Sequence, residues 1–266
     1  MQIELYFTIA CVLLGTIVGS FINALSYRFN TGRGMGGRSF CDTCGHTLSP
    51  LDLVPVLSYL FLGGRCRYCS AHISIQNPLV EVVAGVLGGL TYMTHPGPIA
   101  FLFWFFVWMV LLFIVVYDLR HTVIPWVCSG LLAALAFISL FLQFEPTLYI
   151  AVPTLDVFLA GPLLALPLFL LSLVSGGRWM GWGDSGLELS LGWILGLSLG
   201  ATALMSAFWS GAVIGVALLL FSRFRWQSHA RRLTIVSEIP FAPFLVFGMF
   251  LVYFFHVDFF SMLSLW

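Results

Sequence analysis

Long apolar runs divided by short polar breaks dominate the chain, at about 5–27, 79–95, 98–118, 124–144, 149–175, 185–200, 202–221 and 239–261. A hydrocarbon layer about 30 Å thick is crossed by roughly 20 helical residues, so the pattern predicts about eight transmembrane helices. The sixth run is short, and only the glycine-rich stretch around Gly196 and Gly200 divides it from the seventh; a tilted helix or a re-entrant turn would serve there as well. One segment breaks the rhythm: residues 28–78 form the only long polar stretch. The expected organisation is therefore an all-α polytopic membrane protein with a first transmembrane helix over 1–27, a small loop domain over 28–78 and a membrane-embedded core over 79–266.

Composition agrees with that pattern. The chain is 60% hydrophobic and 8% charged, with mean hydropathy +1.03, 26 Phe and 9 Trp, far from the balance of a soluble domain. Its cations are all arginine. Arg28, Arg33, Arg38, Arg65 and Arg67 flank the polar loop, Arg120 follows the third run, Arg178 the fifth, and Arg223, Arg225, Arg231 and Arg232 the seventh. With eight spans all 11 fall on one side, whereas the opposite loops carry acids such as Glu4, Glu145 and Asp258. The positive-inside rule makes the arginine side cytoplasmic and puts both termini outside. Glu4 stands where a signal peptide would be basic, and the first run is long enough to span, so the first helix is expected to remain. A net charge of zero and arginines already accounted for by topology argue against nucleic acid as a partner.

The polar loop holds Cys41-Asp-Thr-Cys44 and Cys66-Arg-Tyr-Cys69, with 21 residues between the pairs. Two CxxC turns at this spacing can present four thiolates to one zinc ion in a zinc-ribbon-like loop. A cytoplasmic, reducing setting disfavours the alternative of two disulfides. Cys11 and Cys128 lie inside apolar runs and read as small buried side chains.

Charged groups at the ends of membrane helices are costly and call for a reason. Asp118 ends the third run in VVYDLRHTVIP, and Asp184 opens the sixth in GWGDSGLEL. Two carboxylates converging at the cytoplasmic boundary can share a proton and activate a water for attack on a peptide bond. Plainer roles are an N-cap for Asp184 and a salt bridge to Arg120 for Asp118. Gly181 and Gly183 would leave room for a substrate backbone. Glu188, at i+4 from Asp184, and Glu81 could tune the pair, although Glu81 and Asn23 fit better as caps or hydrogen-bonding groups for neighbouring helices. Gly15 and Gly19, Gly192 with Gly196 and Gly200, and Gly211 with Gly215 read as close helix packing.

The order of motifs carries a family resemblance across nearly the whole chain. GSFINALSYRF (19–29), the four-cysteine segment with NPLVE at its end (41–81), DLRHTVIP (118–125), GWGD (181–184) and IPFAPFLVFG (239–248) together resemble the bacterial type IV prepilin peptidases. The four-cysteine loop separates the chain from other GxGD proteases. The resemblance implies a multi-pass aspartic endopeptidase of the bacterial inner membrane. It would remove the basic leader of type IV prepilins or type II secretion pseudopilins after a glycine, at the cytoplasmic face, and then N-methylate the new terminus with S-adenosylmethionine. It puts the catalytic pair on Asp118 and Asp184 and the zinc ligands on Cys41, Cys44, Cys66 and Cys69. The chain departs from the family at two places. Ser185 and Gly186 stand where a hydrophobic residue and a lysine commonly follow GxGD, and Trp126 stands where aspartate commonly follows Ile-Pro. Two alternatives stay open: a peptidase that does not methylate, and a noncatalytic membrane assembly protein derived from such an enzyme.

Overall fold

In the computed structural model, residues 2–30, 37–144, 148–224 and 240–260 are described, with backbone alone for 221–224. Arg33, Glu145, Arg225, Arg231 and Arg232 lie outside these residues, as does Ile239 of the last quoted motif. The helices are α1 (Gln2–Arg28), a short α2 (Leu57–Phe61), α3 (Gln76–Thr94), α4 (Pro98–His121), α5 (Trp126–Phe141), α6 (Leu155–Ser175), α7 (Trp182–Leu195), α8 (Leu197–Phe224) and α9 (Ala242–Phe255). A two-stranded pairing of β1 (Leu142–Gln143) with β2 (Tyr149–Ile150) is the only sheet among the described residues.

Each of the eight apolar runs thus becomes one helix. Four of these, α1, α4, α6 and α8, are long and apolar enough to cross a membrane unaided. The helix from the sixth run, α7, has 14 residues, about 21 Å of rise, which is shorter than the hydrocarbon layer. It stops at Gly196, whose φ of +78° is one that L side chains rarely adopt, and α8 starts at the next residue. Gly196 therefore breaks the helix; it is not the middle of a packing ridge, and nothing lies within 4 Å of where its Cβ would be.

The chain divides into two compact units, Met1–Val116 and Tyr117–Trp266. In the first, α1 packs along α3 through small residues. A Cβ on Gly15 would sit 2.8 Å from the Gly85 Cα, and one on Gly19 2.9 Å from the Glu81 Cα. Such contacts bring backbones together where apolar lipid offers no hydrophobic driving force for association. Asn23 of α1 donates from Nδ2 to the Asn77 carbonyl (2.9 Å), and Glu81 of α3 accepts the Val56 N–H (2.7 Å) at the start of α2. Both residues therefore hold neighbouring chain, as their positions suggested.

In the second unit α7 packs between α5 and α6, and α8 packs on α9. Pro162 lies inside α6, has no N–H, and so leaves the Phe158 carbonyl without its i+4 donor. The Trp193 indole of α7 fills that place, donating from Nε1 to the Phe158 oxygen at 3.0 Å. Room for the indole comes from Gly161, where a Cβ would come within 2.7 Å of it. A backbone group that water would satisfy in a soluble protein is here satisfied by a neighbouring helix.

Candidate metal centre and aspartate pair

The four-cysteine loop consists of two knuckles with the same hydrogen-bond pattern. In the first, Cys41 N–H donates to the His46 carbonyl (3.0 Å) and Gly45 N–H to the Cys41 carbonyl (2.8 Å). In the second, Cys66 N–H donates to Ala71 (2.8 Å) and Ser70 N–H to Cys66 (2.9 Å). The residue after each CxxC has positive φ, +68° at Gly45 and +58° at Ser70. Glycine suits that turn; serine pays a steric cost in it. The His46 and Tyr68 rings meet across the knuckles, tilted by 33° with centroids 3.7 Å apart. Asp52 accepts from Arg67 Nε at 2.7 Å and from the Ser49 hydroxyl at 2.8 Å. The Ser49 hydroxyl, its N–H and Arg67 hold the Asp52 carboxyl below the usual carboxylate range.

One ligand atom from each of Cys41, Cys44, Cys66 and Cys69 lies within 4.8 Å of all the others, and the Cys41 and Cys69 sulfurs are 3.8 Å apart. Tetrahedral zinc with bonds of about 2.3 Å requires edges of about 3.8 Å, so the donor set fits the ion. The thiols already bias one another. Cys41 is pulled down to about 6, first by the Cys44 and Thr43 backbone N–H groups. Cys69, against the pull of the Ala71 N–H, is pushed up to about 12 by desolvation and by the sulfurs of Cys44, Cys66 and Cys41. Zinc held by these sulfurs would supply structural cross-linking of the two knuckles.

Asp118 and Asp184 both belong to the second unit, and Asp118 is close enough for its charge to act on Asp184. Both side chains are buried, at 4% and 7% exposure. Asp118 sits in the last turn of α4, and its Oδ2 accepts the Ala242 N–H (3.3 Å) at the first turn of α9, where a helix favours an anion. Asp184 is in the first turn of α7, and its Oδ2 accepts the Gly181 N–H at 3.0 Å. The N-cap position expected for Asp184 belongs instead to Gly181; Asp184 is the third residue of α7, and its carboxylate reaches back to the Gly181 N–H while it lies in range of the Asp118 charge. Neither Oδ1 has a hydrogen bond among the described residues, yet neither is sealed from solvent.

Local packing fixes the pair. Ser172 of α6 donates to the Met180 (3.1 Å) and Gly181 (3.3 Å) carbonyls, pinning the turn before Asp184. After Asp118, α4 ends on Thr122 at φ +52°, a costly conformation for a β-branched residue, and the chain runs on to Ile124. A Cβ on Gly183 would lie 2.6 Å from the Ile124 Cβ. The space expected for a substrate beside Gly183 is thus taken by Ile124, and this contact ties the Asp118 turn to the Asp184 helix. At Gly186 a Cβ would meet the Ser129 hydroxyl of α5 at 2.7 Å. Glu188, one turn beyond Asp184, is 1% exposed, and neither of its oxygens has a hydrogen-bond partner among the described residues. The Ala242 N–H was not foreseen, because a backbone donor leaves no side-chain signature; the Pro243 that opens an apolar run was the available hint of a helix start.

These features define a class: a multi-pass helical membrane enzyme with a four-cysteine loop and a buried aspartate pair at helix ends. Residues 13–95 match the family model described as Bacterial Peptidase A24 N-terminal domain. Across the chain, a curated prepilin leader peptidase/N-methyltransferase of Bacillus subtilis is 31% identical, covering 91% of this chain and 91% of its own. Proteins of the same description from Pseudomonas aeruginosa and Burkholderia pseudomallei are 30% and 29% identical, covering 91% and 95% of this chain and 88% and 87% of theirs. No solved structure matches the chain. The chain belongs to the prepilin leader peptidase/N-methyltransferase family.

Proposed function

We propose that this protein cleaves the basic leader of type IV prepilins or type II secretion pseudopilins after a glycine, at the cytoplasmic face of the bacterial inner membrane, and then methylates the new N-terminal amine. The observation that carries the peptidase reading is the approach of Asp118 and Asp184, each with one oxygen held by a backbone N–H and the other uncommitted. One carboxylate takes a proton from water as the oxygen attacks the scissile carbonyl carbon; the other, protonated, donates to the carbonyl oxygen. Collapse of the tetrahedral adduct breaks the C–N bond, with a proton passing to the leaving amine. Like charges within range of each other disfavour ionisation of both, so that one can stay protonated, which sets up this division of labour.

The site suits its substrate. An apolar pilin helix held in the bilayer puts a basic leader just outside it, and acids at helix ends attract that charge. Arg28 ends α1, Arg120 is in the last turn of α4, and Arg178 follows α6, which supports a cytoplasmic assignment for those ends. For methylation the support is the relatives' description. S-adenosylmethionine would supply the methyl group, its S–C bond breaking as the N–C bond forms and the amine giving up a proton.

The test is co-expression with a prepilin and mass measurement of the product. Asp118→Asn and Asp184→Asn are each expected to leave the leader attached while the protein accumulates normally. Cleavage by either variant would refute the pair, and a processed pilin with an unmodified amine would refute methylation.

A further inference from the structure

The short helix α2 turns its apolar side away from the protein. Leu57, Leu60 and Phe61 stand at i, i+3 and i+4, on one helical face, and are 51%, 67% and 85% exposed. Ser58, Tyr59 and Leu62 lie on the other side and face inward, toward α1 and α3. Leu51, in the 3-10 turn at Pro50–Leu53, adds another apolar side chain at 70% exposure. A contiguous apolar face held outward in a polar loop marks an interaction surface. The backbone holds it there against strain: Val56, just before α2, has φ +61°, an outlier for a β-branched residue. Its N–H is held by Glu81 Oε2 at 2.7 Å.

That hydrogen bond also sets the depth of α2. The Glu81 Cα is level with Gly19 of α1, where a Cβ would stand 2.9 Å from it. Gly19 precedes the end of α1 at Arg28 by nine residues, about 13 Å of helical rise. The Glu81 side chain leans toward the start of α3, but only by part of that length. So α2 begins beside the apolar part of a spanning helix and not beyond its end. The neighbouring surface is already lipid-facing in character, with Ile17 and Phe21 of α1 and Leu79 and Val82 of α3 exposed. No carboxylate opposes burial: between Asp52, whose side chain is 3% exposed, and Glu81 the sequence has no acid. Arg65 and Arg67 are exposed and suit lipid phosphates. We propose that α2 is an interfacial anchor whose Leu57, Leu60 and Phe61 insert into the lipid leaflet around the C-terminal end of α1 and seat the four-cysteine loop on the membrane surface.

The experiment uses the full-length, zinc-loaded protein, one copy per nanodisc of phosphatidylethanolamine and phosphatidylglycerol, doped with phosphatidylcholine that carries a diazirine in its acyl chain. After irradiation, peptide mapping should find lipid adducts on residues 51–61 as well as on α1. Carboxylates are costly in lipid, so Leu60→Glu combined with Phe61→Glu should lower the adducts on 51–61 about tenfold relative to those on α1. Zinc content equal to the wild type shows that the loop in the variant is folded. The wild-type map decides the matter by itself: adducts on α1 with none on 51–61 would overturn the anchor. Protection of 51–61 from hydrogen exchange only in discs holding two copies would assign the face to a second copy instead. Protection only after a prepilin is added would assign it to a protein partner. Undiminished adducts in the folded variant would show that this face is not what enters the lipid.

Discussion

Gly183 shows how much one missing methyl group decides. Its hydrogen faces the Ile124 side chain so closely that a Cβ would stand 2.6 Å from the Ile124 Cβ, a distance that real Cβ atoms do not reach. Gly183→Ala must therefore shift either the turn after Asp118 or the first turn of α7, and each movement displaces one carboxylate from the other. Misplacement of about 1 Å in a reacting constellation costs on the order of 10²-fold in rate. Steady-state leader cleavage should fall by about that factor while the protein still accumulates; cleavage at the wild-type rate would detach Gly183 from the geometry of the pair. Glu188 tests the opposite effect. A carboxyl group that is 1% exposed with both oxygens unpartnered carries an uncompensated desolvation cost of about 1–3 kcal/mol. Glu188→Leu, similar in size and apolar, should stabilise the detergent-solubilised protein by that order in thermal unfolding. A lower melting temperature would mean that Glu188 is satisfied by a partner it lacks among the described residues.

At the scale of elements, the helices were legible because spanning a membrane demands long apolar runs, and each run became one helix. Their interruptions were less legible. Gly196 looked like one glycine of a packing series, but a positive φ depends on how α7 meets α8, and sequence spacing carries no record of that. The cysteines were legible because metal ligation fixes their spacing, whereas the Asp52 contacts with Ser49 and Arg67 that brace the loop follow no periodic rule. Asp118 and Asp184 could be singled out as costly charges, but their backbone donors arise from helix starts far along the chain. The Pro162 break in α6 was equally hidden, since its remedy comes from Trp193 on another helix. Trp193→Phe keeps the aromatic bulk and removes only the donor. It should cost about 1–3 kcal/mol, the penalty of a backbone carbonyl left unsatisfied where lipid offers no donor, read as a lower unfolding temperature. An unchanged temperature would show that the Phe158 carbonyl does not depend on the indole.

For the whole molecule, the alternation of helices makes separate contacts agree. If successive long helices cross in opposite directions, the end of α4 and the starts of α7 and α9 share one face. Asp118 accepts the Ala242 N–H there and lies within range for its charge to act on Asp184. The opposite face should gather the start of α6 with the end of α7, and the start of α8 with the end of α9. Trp193 bonds the Phe158 carbonyl, and Ser198 donates to Asp258 at 3.2 Å. The proposed orientation, read from the arginines, makes the first of these faces cytoplasmic, and by the same rule the proposed place of the four-cysteine loop after α1 is cytoplasmic. Thiol labelling checks that assignment directly. Cys44 and Cys69 are exposed at their thiol-bearing residues, whereas Cys11 is buried within α1 and Cys128 is half-buried within α5. In inverted membrane vesicles a membrane-impermeant maleimide should react with the loop cysteines after treatment with a zinc chelator and only weakly before it, because bound thiolates are protected. In sealed cells stripped of their outer layers the same reagent should leave the loop unlabelled, with or without chelator. Labelling from the outside would reverse the orientation and put the aspartates out of reach of a cytoplasmic leader; labelling that ignores the chelator would argue against metal in the loop.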